Sequence, residues 1–237
     1  MTGVKKQFNL ILKAMNDGRK QKVHNLIILD ESGSMLSISE SIIRGFNELV
    51  QTTKGLEKSF PDQAHFISFV TFNGLGQKLI HFAEPVSKLE MIDDSKYRPD
   101  SLTPLFDAMG FSIGKLRKIL EDDKDYHVLV TILTDGEENA SKEFSGAAIK
   151  KMINELKLRN WTFTYIGTDH DVDGFAVSIS IQNSVKFDRD ESAINHMFLN
   201  EQQARFRFCK KIRNNEDTAT GYYENLPSTV EQAKEPE

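Results

Sequence analysis

The chain has 237 residues, 39% of them hydrophobic and 27% charged, with a net charge of −5. That length suits one large domain with a substantial core and short extensions, or two small domains at most. No excess of Lys and Arg is present to replace the counterions of a phosphate backbone, so general nucleic-acid binding is not expected. The single cysteine, Cys209, excludes an intrachain disulfide and any multi-cysteine zinc or iron–sulfur site. Set between Phe208 and Lys210 in a predicted helix, it reads as a buried thiol. No apolar run approaches a membrane span, and the N-terminal stretch is too short for a signal peptide, which leaves the cytoplasm as the expected location.

Residues 1–21 carry a short amphipathic pattern (Phe8, Leu10, Ile11, Met15) and read as an appended helix covering one edge of a domain over residues 22–212. The first predicted strand is 23–30, followed by a helix over 38–56 with Ile42, Ile43, Phe46, Leu49 and Val50 on its apolar face. Two short strands, 64–72 and 78–82, flank Asn73-Gly74-Leu75-Gly76, whose residues suit a hairpin turn. Residues 83–103 are irregular. Thr103 and Pro104 then open a helix that runs to about Leu120, with Thr as N-cap and Pro at the first helical position. Further on come a strand at 126–133, a helix at 144–159, a strand at 161–166, a short helix at 172–181, a strand at 184–187 and a long helix at 191–212. This alternation predicts an α/β fold with a doubly wound, mostly parallel sheet, one antiparallel edge strand and helices on both faces. Residues 213–237 turn polar and acidic and are expected to be a disordered tail.

Two of the apolar strands stop abruptly on a carboxylate. The first reads LIILDESGSM over residues 26–35, with Asp30, Ser32 and Ser34 at alternate positions and Gly33 allowing a tight loop. Such a run suits a strand buried on both faces, and its C-terminal edge is where open α/β sheets place ligands. Three side-chain oxygens crowded there form half of a site for a hard cation. The second strand, VLVTIL at 128–133, ends on Thr134-Asp135-Gly136 at the same edge, and the loop before Thr103 converges on it.

Together Asp30, Ser32, Ser34, Thr103 and Asp135 resemble the metal-ion-dependent adhesion site of the von Willebrand factor A family: D-x-S-x-S, a distant Thr and a distant Asp at a strand end. The words DESGSM, TPLFDAMG, TDGEENAS and YIGTDHDV resemble the corresponding stretches of small stand-alone bacterial members, and the resemblance spans about residues 22–210. It implies that the hydroxyls of Ser32, Ser34 and Thr103 contact Mg2+, or Mn2+ or Ca2+ in its place, while Asp30 and Asp135 act largely through water. It further implies that a protein partner completes the coordination with an Asp or Glu, so the expected function is adhesion or scaffolding and not catalysis. Ser101 departs from the pattern, standing two residues before the Thr where the family usually has Gly.

Other features have less to recommend them. Glu137, Glu138 and Asn139 read as a solvated helix start, and Asp107 as a helix-face residue or a support for the site. Asp169-His170-Asp171-Val172-Asp173-Gly174 matches the first half of an EF-hand loop, but the twelfth position is Ser180 where a Glu is needed. Residues 110–116 mimic a phosphate loop yet lack Ser or Thr after Lys115 and fall inside a predicted helix. The rival functions are a Mg2+-dependent phosphohydrolase, which would need a second carboxylate where Ser32 stands, and a scaffold with a vestigial site.

Overall fold

A computed structural model describes residues 20–224. The helix expected over residues 1–21 falls almost wholly outside that range. Where the two overlap, Gln21 already opens the first strand.

Six strands form one sheet: β1 (Gln21–Asp30), β2 (Gln63–Asn73), β3 (Gly76–Pro85), β4 (Tyr126–Thr134), β5 (Trp161–Gly167) and β6 (Asn183–Lys186). Among the described residues five α-helices accompany them: α1 (Ser39–Ser59), α2 (Leu105–Ile119), α3 (Gly146–Lys157), α4 (Val172–Ser178) and α5 (Glu191–Asn214). The strand order is β3-β2-β1-β4-β5-β6, and only the edge pair β2–β3 is antiparallel. The chain therefore winds outward from β1 to β3, returns to the other side of β1, and winds outward again to β6. That reversal makes the C-terminal ends of β1 and β4 the topological switch point, the crevice where open parallel sheets bind ligands.

Strand β1 shows why the sheet is covered on both faces. Leu26 and Ile28 point into a core shared with α2, α3 and α4, whereas Ile27 and Leu29 point into one shared with α1 and α5. Alternate side chains leave a strand on opposite faces, so an unbroken apolar run needs helices on each side. In the second core, Gly45 of α1 lies directly against the Phe198 ring of α5, and a β-carbon there would overlap the ring.

The C-terminal boundary differs from the sequence reading. Helix α5 continues to Asn214, and residues 215–224 fold back over the sheet, while the remainder of the tail expected to be disordered, 225–237, lies outside the described residues. Tyr222 is buried, and its hydroxyl and that of Tyr223 donate to the two oxygens of Glu201, at 3.1 and 2.8 Å. Glu201 also pairs with the fully buried Arg205 at 3.0 Å, which donates to Asn25 Oδ1 at 3.0 Å and Thr131 Oγ1 at 2.7 Å. Acidic composition concealed these two aromatic anchors, and the buried carboxylate of Glu201 gives their hydroxyls an acceptor.

Arg205→Met leaves Glu201 buried without its cation and should cost about 3–5 kcal/mol in urea unfolding, with Arg205→Met/Glu201→Leu recovering part of the loss. A double variant no more stable than the single one would contradict that role. Burial pushes the imidazoles of His24 and His65 down to about 4, from an ordinary 6.5. The unfolded chain therefore takes up these protons near pH 6.5, while the folded chain takes them up only near 4. Their effect is absent above the upper value and erodes stability as pH falls through that window, by roughly 3 kcal/mol each at most. His65→Phe should thus lose less stability than the parent between about pH 7.5 and about pH 4.5, and equal losses would refute the assignment.

Candidate metal centre

The register of the central strands brings the two carboxylates together. Leu29 pairs with Leu133 across β1 and β4, so both strands run out at the same level, and Asp30 and Asp135 end up buried side by side. One oxygen of Asp30 accepts the Ser32 backbone N–H at 2.7 Å and the other accepts the Thr134 hydroxyl at 2.5 Å. Asp135 accepts the Ser34 hydroxyl at 2.6 Å, and the hydroxyl oxygens of Ser34 and Ser32 lie 3.2 Å apart. Thr103 joins them through Gly136: its hydroxyl and that of Ser34 both lie within 4 Å of the point where a β-carbon on Gly136 would project. All five residues singled out by the sequence therefore meet at one place, from three loops.

The middle loop is tied to the first by backbone and side chain alike. The Tyr97 hydroxyl donates to the Asp30 carbonyl at 2.7 Å, and the Asp100 N–H to the Glu31 carbonyl at 2.9 Å. The buried Glu31 carboxylate accepts the Arg98 N–H at 2.7 Å and pairs with Lys78 at 2.6 Å. Gly33 N–H closes the contact on the Ser101 carbonyl at 2.9 Å. Ser101 has φ +68°, the left-handed backbone for which glycine is favoured. A serine holds this conformation at a cost of roughly 1–2 kcal/mol. Its hydroxyl packs against Gly74 of the β2–β3 turn.

Thr103 does not serve as the helix cap the sequence suggested. Helix α2 begins at Leu105 after Pro104 and has no side-chain cap of its own. Its first N–H groups are satisfied from the β4–α3 loop: Phe106 N–H by Glu138 at 2.7 Å and Asp107 N–H by Ser141 at 3.0 Å. Asp107 returns the favour by accepting the N–H groups of Lys142, Glu143 and Phe144 at 2.8–2.9 Å. Glu138 is therefore a clamp between loops and not part of a solvated helix start, and Asn139 accepts the Thr103 N–H at 3.0 Å. This mutual bracket holds Thr103 at the site while leaving its hydroxyl out of capping.

Burial pushes the Asp30 carboxyl up to about 6, against the hydrogen bonds from Thr134 and Ser32 that favour its charged form. Asp135 is raised as well, first by burial, with the Ser34 hydroxyl and the charge of Arg189 pulling the other way. A cation set among these oxygens would relieve both. The donor chemistry fits a small hard ion: every candidate ligand is an oxygen, and adjacent oxygens on a Mg2+ octahedron lie about 2.9 Å apart, near the Ser32–Ser34 spacing. Among the described residues no three His, Cys, Asp or Glu side chains gather to hold a metal, so an ion here would rely on hydroxyls.

Sequence reasoning missed Thr134, Glu31 and Arg189. The first two were visible beside the carboxylates but read as strand end and loop. Arg189, in the β6–α5 loop, reaches Asp135 Oδ2 at 2.7 Å and also pairs with Asp169. Nothing local in the sequence signals that contact. The EF-hand-like stretch disperses its carboxylates: Asp169 faces Arg189, Asp171 caps α4, and Asp173 accepts the Ser184 hydroxyl at 2.6 Å. Residues 110–116 lie within α2, as their helical setting implied.

No protein-family model matches the chain, and no curated protein matches it either. Solved structures do. Proximal thread matrix protein 1 from the mussel byssus aligns with a TM-score of 0.56 at 13% identity, over 79% of this chain and 47% of that one. The chain therefore spans about half the length of the mussel protein. The SpRpn10 VWA domain aligns with a TM-score of 0.51 at 11% identity, covering 75% of this chain and 94% of that domain. The pilus adhesin SpaC from Lactobacillus rhamnosus GG, in its open conformation, aligns at 0.55 and 10% identity, over 80% of this chain and 31% of the adhesin. At these identities the likeness is one of fold, and the fold of this chain is of the von Willebrand factor A type.

Proposed function

We propose that this chain is a non-catalytic protein-binding module that holds Mg2+, or Mn2+ or Ca2+ in its place, at Asp30, Ser32, Ser34, Thr103 and Asp135. The ion grips an Asp or Glu side chain of a protein partner. The observation that carries this reading is the convergence at the switch point: the side-chain oxygens of Ser32, Ser34 and Asp135 linked by contacts of 2.6–3.2 Å, Asp30 joined to them through the Ser32 backbone N–H at 2.7 Å, and the Thr103 hydroxyl beside them.

Each residue has a distinct part. Ser32, Ser34 and Thr103 offer neutral oxygens, and Ser34 gives its proton to Asp135, which leaves its lone pairs available to a cation. Asp30, with both oxygens engaged by protein donors, supplies charge at the site and suits contact through water. When bound, the ion supplies a largely uncompensated charge and an open position that takes a carboxylate. Ser32 occupies the position where a phosphohydrolase on this kind of sheet would need its second carboxylate, which favours docking over phosphoryl chemistry. That one structural neighbour is a pilus adhesin agrees with such a role.

The test is a pull-down from lysate of the source cells with Mg2+, with EDTA, and with an Asp30→Ala variant whose circular dichroism matches the parent. A partner retained with Mg2+ and lost in the other two arms is expected; the same partner retained in all three would overturn the metal-dependent reading. Metal and partner affinities should also rise together, because their coupling is reciprocal. Calorimetry in which the identified partner leaves Mg2+ affinity unchanged would count against the shared site.

A further inference from the structure

The cation already present at this site is Arg189. Its guanidinium gathers groups from the loops after three strands: Asp135 after β4 at 2.7 Å, Asp169 after β5, and the Ser34 carbonyl and Ser37 hydroxyl after β1 at 3.3 and 2.8 Å. The arm that delivers it is fixed at both ends. Phe187 N–H bonds the Gly167 carbonyl at 3.0 Å on one side, and on the other Asp190 caps α5 by accepting the Ala193 N–H at 2.9 Å. Asp135 thereby has both oxygens committed, one to the Ser34 hydroxyl and one to Arg189.

We propose that Arg189 is a tethered counter-cation that sets how readily the site takes a divalent ion, because an ion drawing on Asp135 must loosen the Asp135–Arg189 pair. This rests on the reading that the five oxygens hold such an ion. Without metal, the guanidinium neutralises Asp135 and Asp169, which would otherwise repel each other across the rim. With metal, it becomes a like charge close to a dication. The arm is only partly exposed, so solvent and salt screen that repulsion less than they would at an open surface. Metal affinity is thus held down until a partner carboxylate adds negative charge. The arrangement gives the module a bias toward the partner-bound state without a separate moving domain.

The experiment compares Mg2+ binding by calorimetry, and the Mg2+-induced rise in melting temperature, for the parent, Arg189→Gln and Arg189→Lys. Arg189→Gln should bind Mg2+ about tenfold tighter and show the larger thermal rise, because the like charge is gone. Arg189→Lys, which keeps the charge, should stay near the parent. In the parent, the Nε–H resonance of Arg189, identified by its absence in both variants, should shift as Mg2+ is titrated. Equal affinity in Arg189→Gln and the parent, or tightening in Arg189→Lys as large as in Arg189→Gln, overturns the counter-cation while leaving metal binding in place. A resonance that stays fixed while the parent binds Mg2+ overturns it too, and this measurement stands even where Arg189→Gln fails to fold. No Mg2+ binding in any of the three proteins overturns the metal reading itself.

Discussion

Asp30 and Asp135 are held as buried neighbours at the ends of two adjacent parallel strands, and the rest of the site exists to make that tolerable. Burying a carboxylate is costly unless it is hydrogen-bonded or paired. Here Thr134, Ser32 and Ser34 supply the donors, and Arg189 supplies the opposing charge. The winding of the chain fixes the location, since β1 and β4 flank the point where strand order reverses. A sheet with the same residues in a different order would separate the two carboxylates and leave no site.

Precision comes from loops tied to one another. Glu31 and the carbonyl of Asp30 anchor residues 97–101, while Asp107 and Glu138 bracket the start of α2 against the β4–α3 loop. These bonds run between chain segments distant in sequence and replace the capping and solvation that each loop would otherwise need. They fix the hydroxyls of Ser34 and Thr103 toward the same side of Gly136. Preorganisation of this kind suits a docking surface, where little conformational freedom is left to lose on binding.

How much was legible in the sequence followed from the range of each interaction. The unbroken apolar runs of β1 and β4 announced doubly covered strands, and the abrupt change to Asp-x-Ser-x-Ser announced a ligand-bearing loop, because both signals are local. Thr103-Pro104 was also a sound marker of a helix start, yet the capping came from Glu138 and Ser141, more than thirty residues away. Ser101 adopts a left-handed backbone that a serine does not announce. Arg189 was invisible, since a lone arginine in a polar loop carries no pattern until the fold brings it to Asp135. Tyr222 and Tyr223 were lost in an acidic stretch for the same reason: their acceptor, Glu201, is a turn of α5 that only tertiary packing brings near.

The chemistry of the proposed site turns on three neutral hydroxyls facing two carboxylates already engaged with protein donors. That balance leaves a bound cation short of negative charge, which favours an acidic ligand from outside over a tightly closed structural metal site. The most direct test is anomalous diffraction from crystals of the protein grown with Mn2+. The account predicts a single strong peak within coordinating distance of the Ser32, Ser34 and Thr103 hydroxyl oxygens. A Mn2+ peak elsewhere, with the Ser34 hydroxyl still bonded to Asp135, would contradict it.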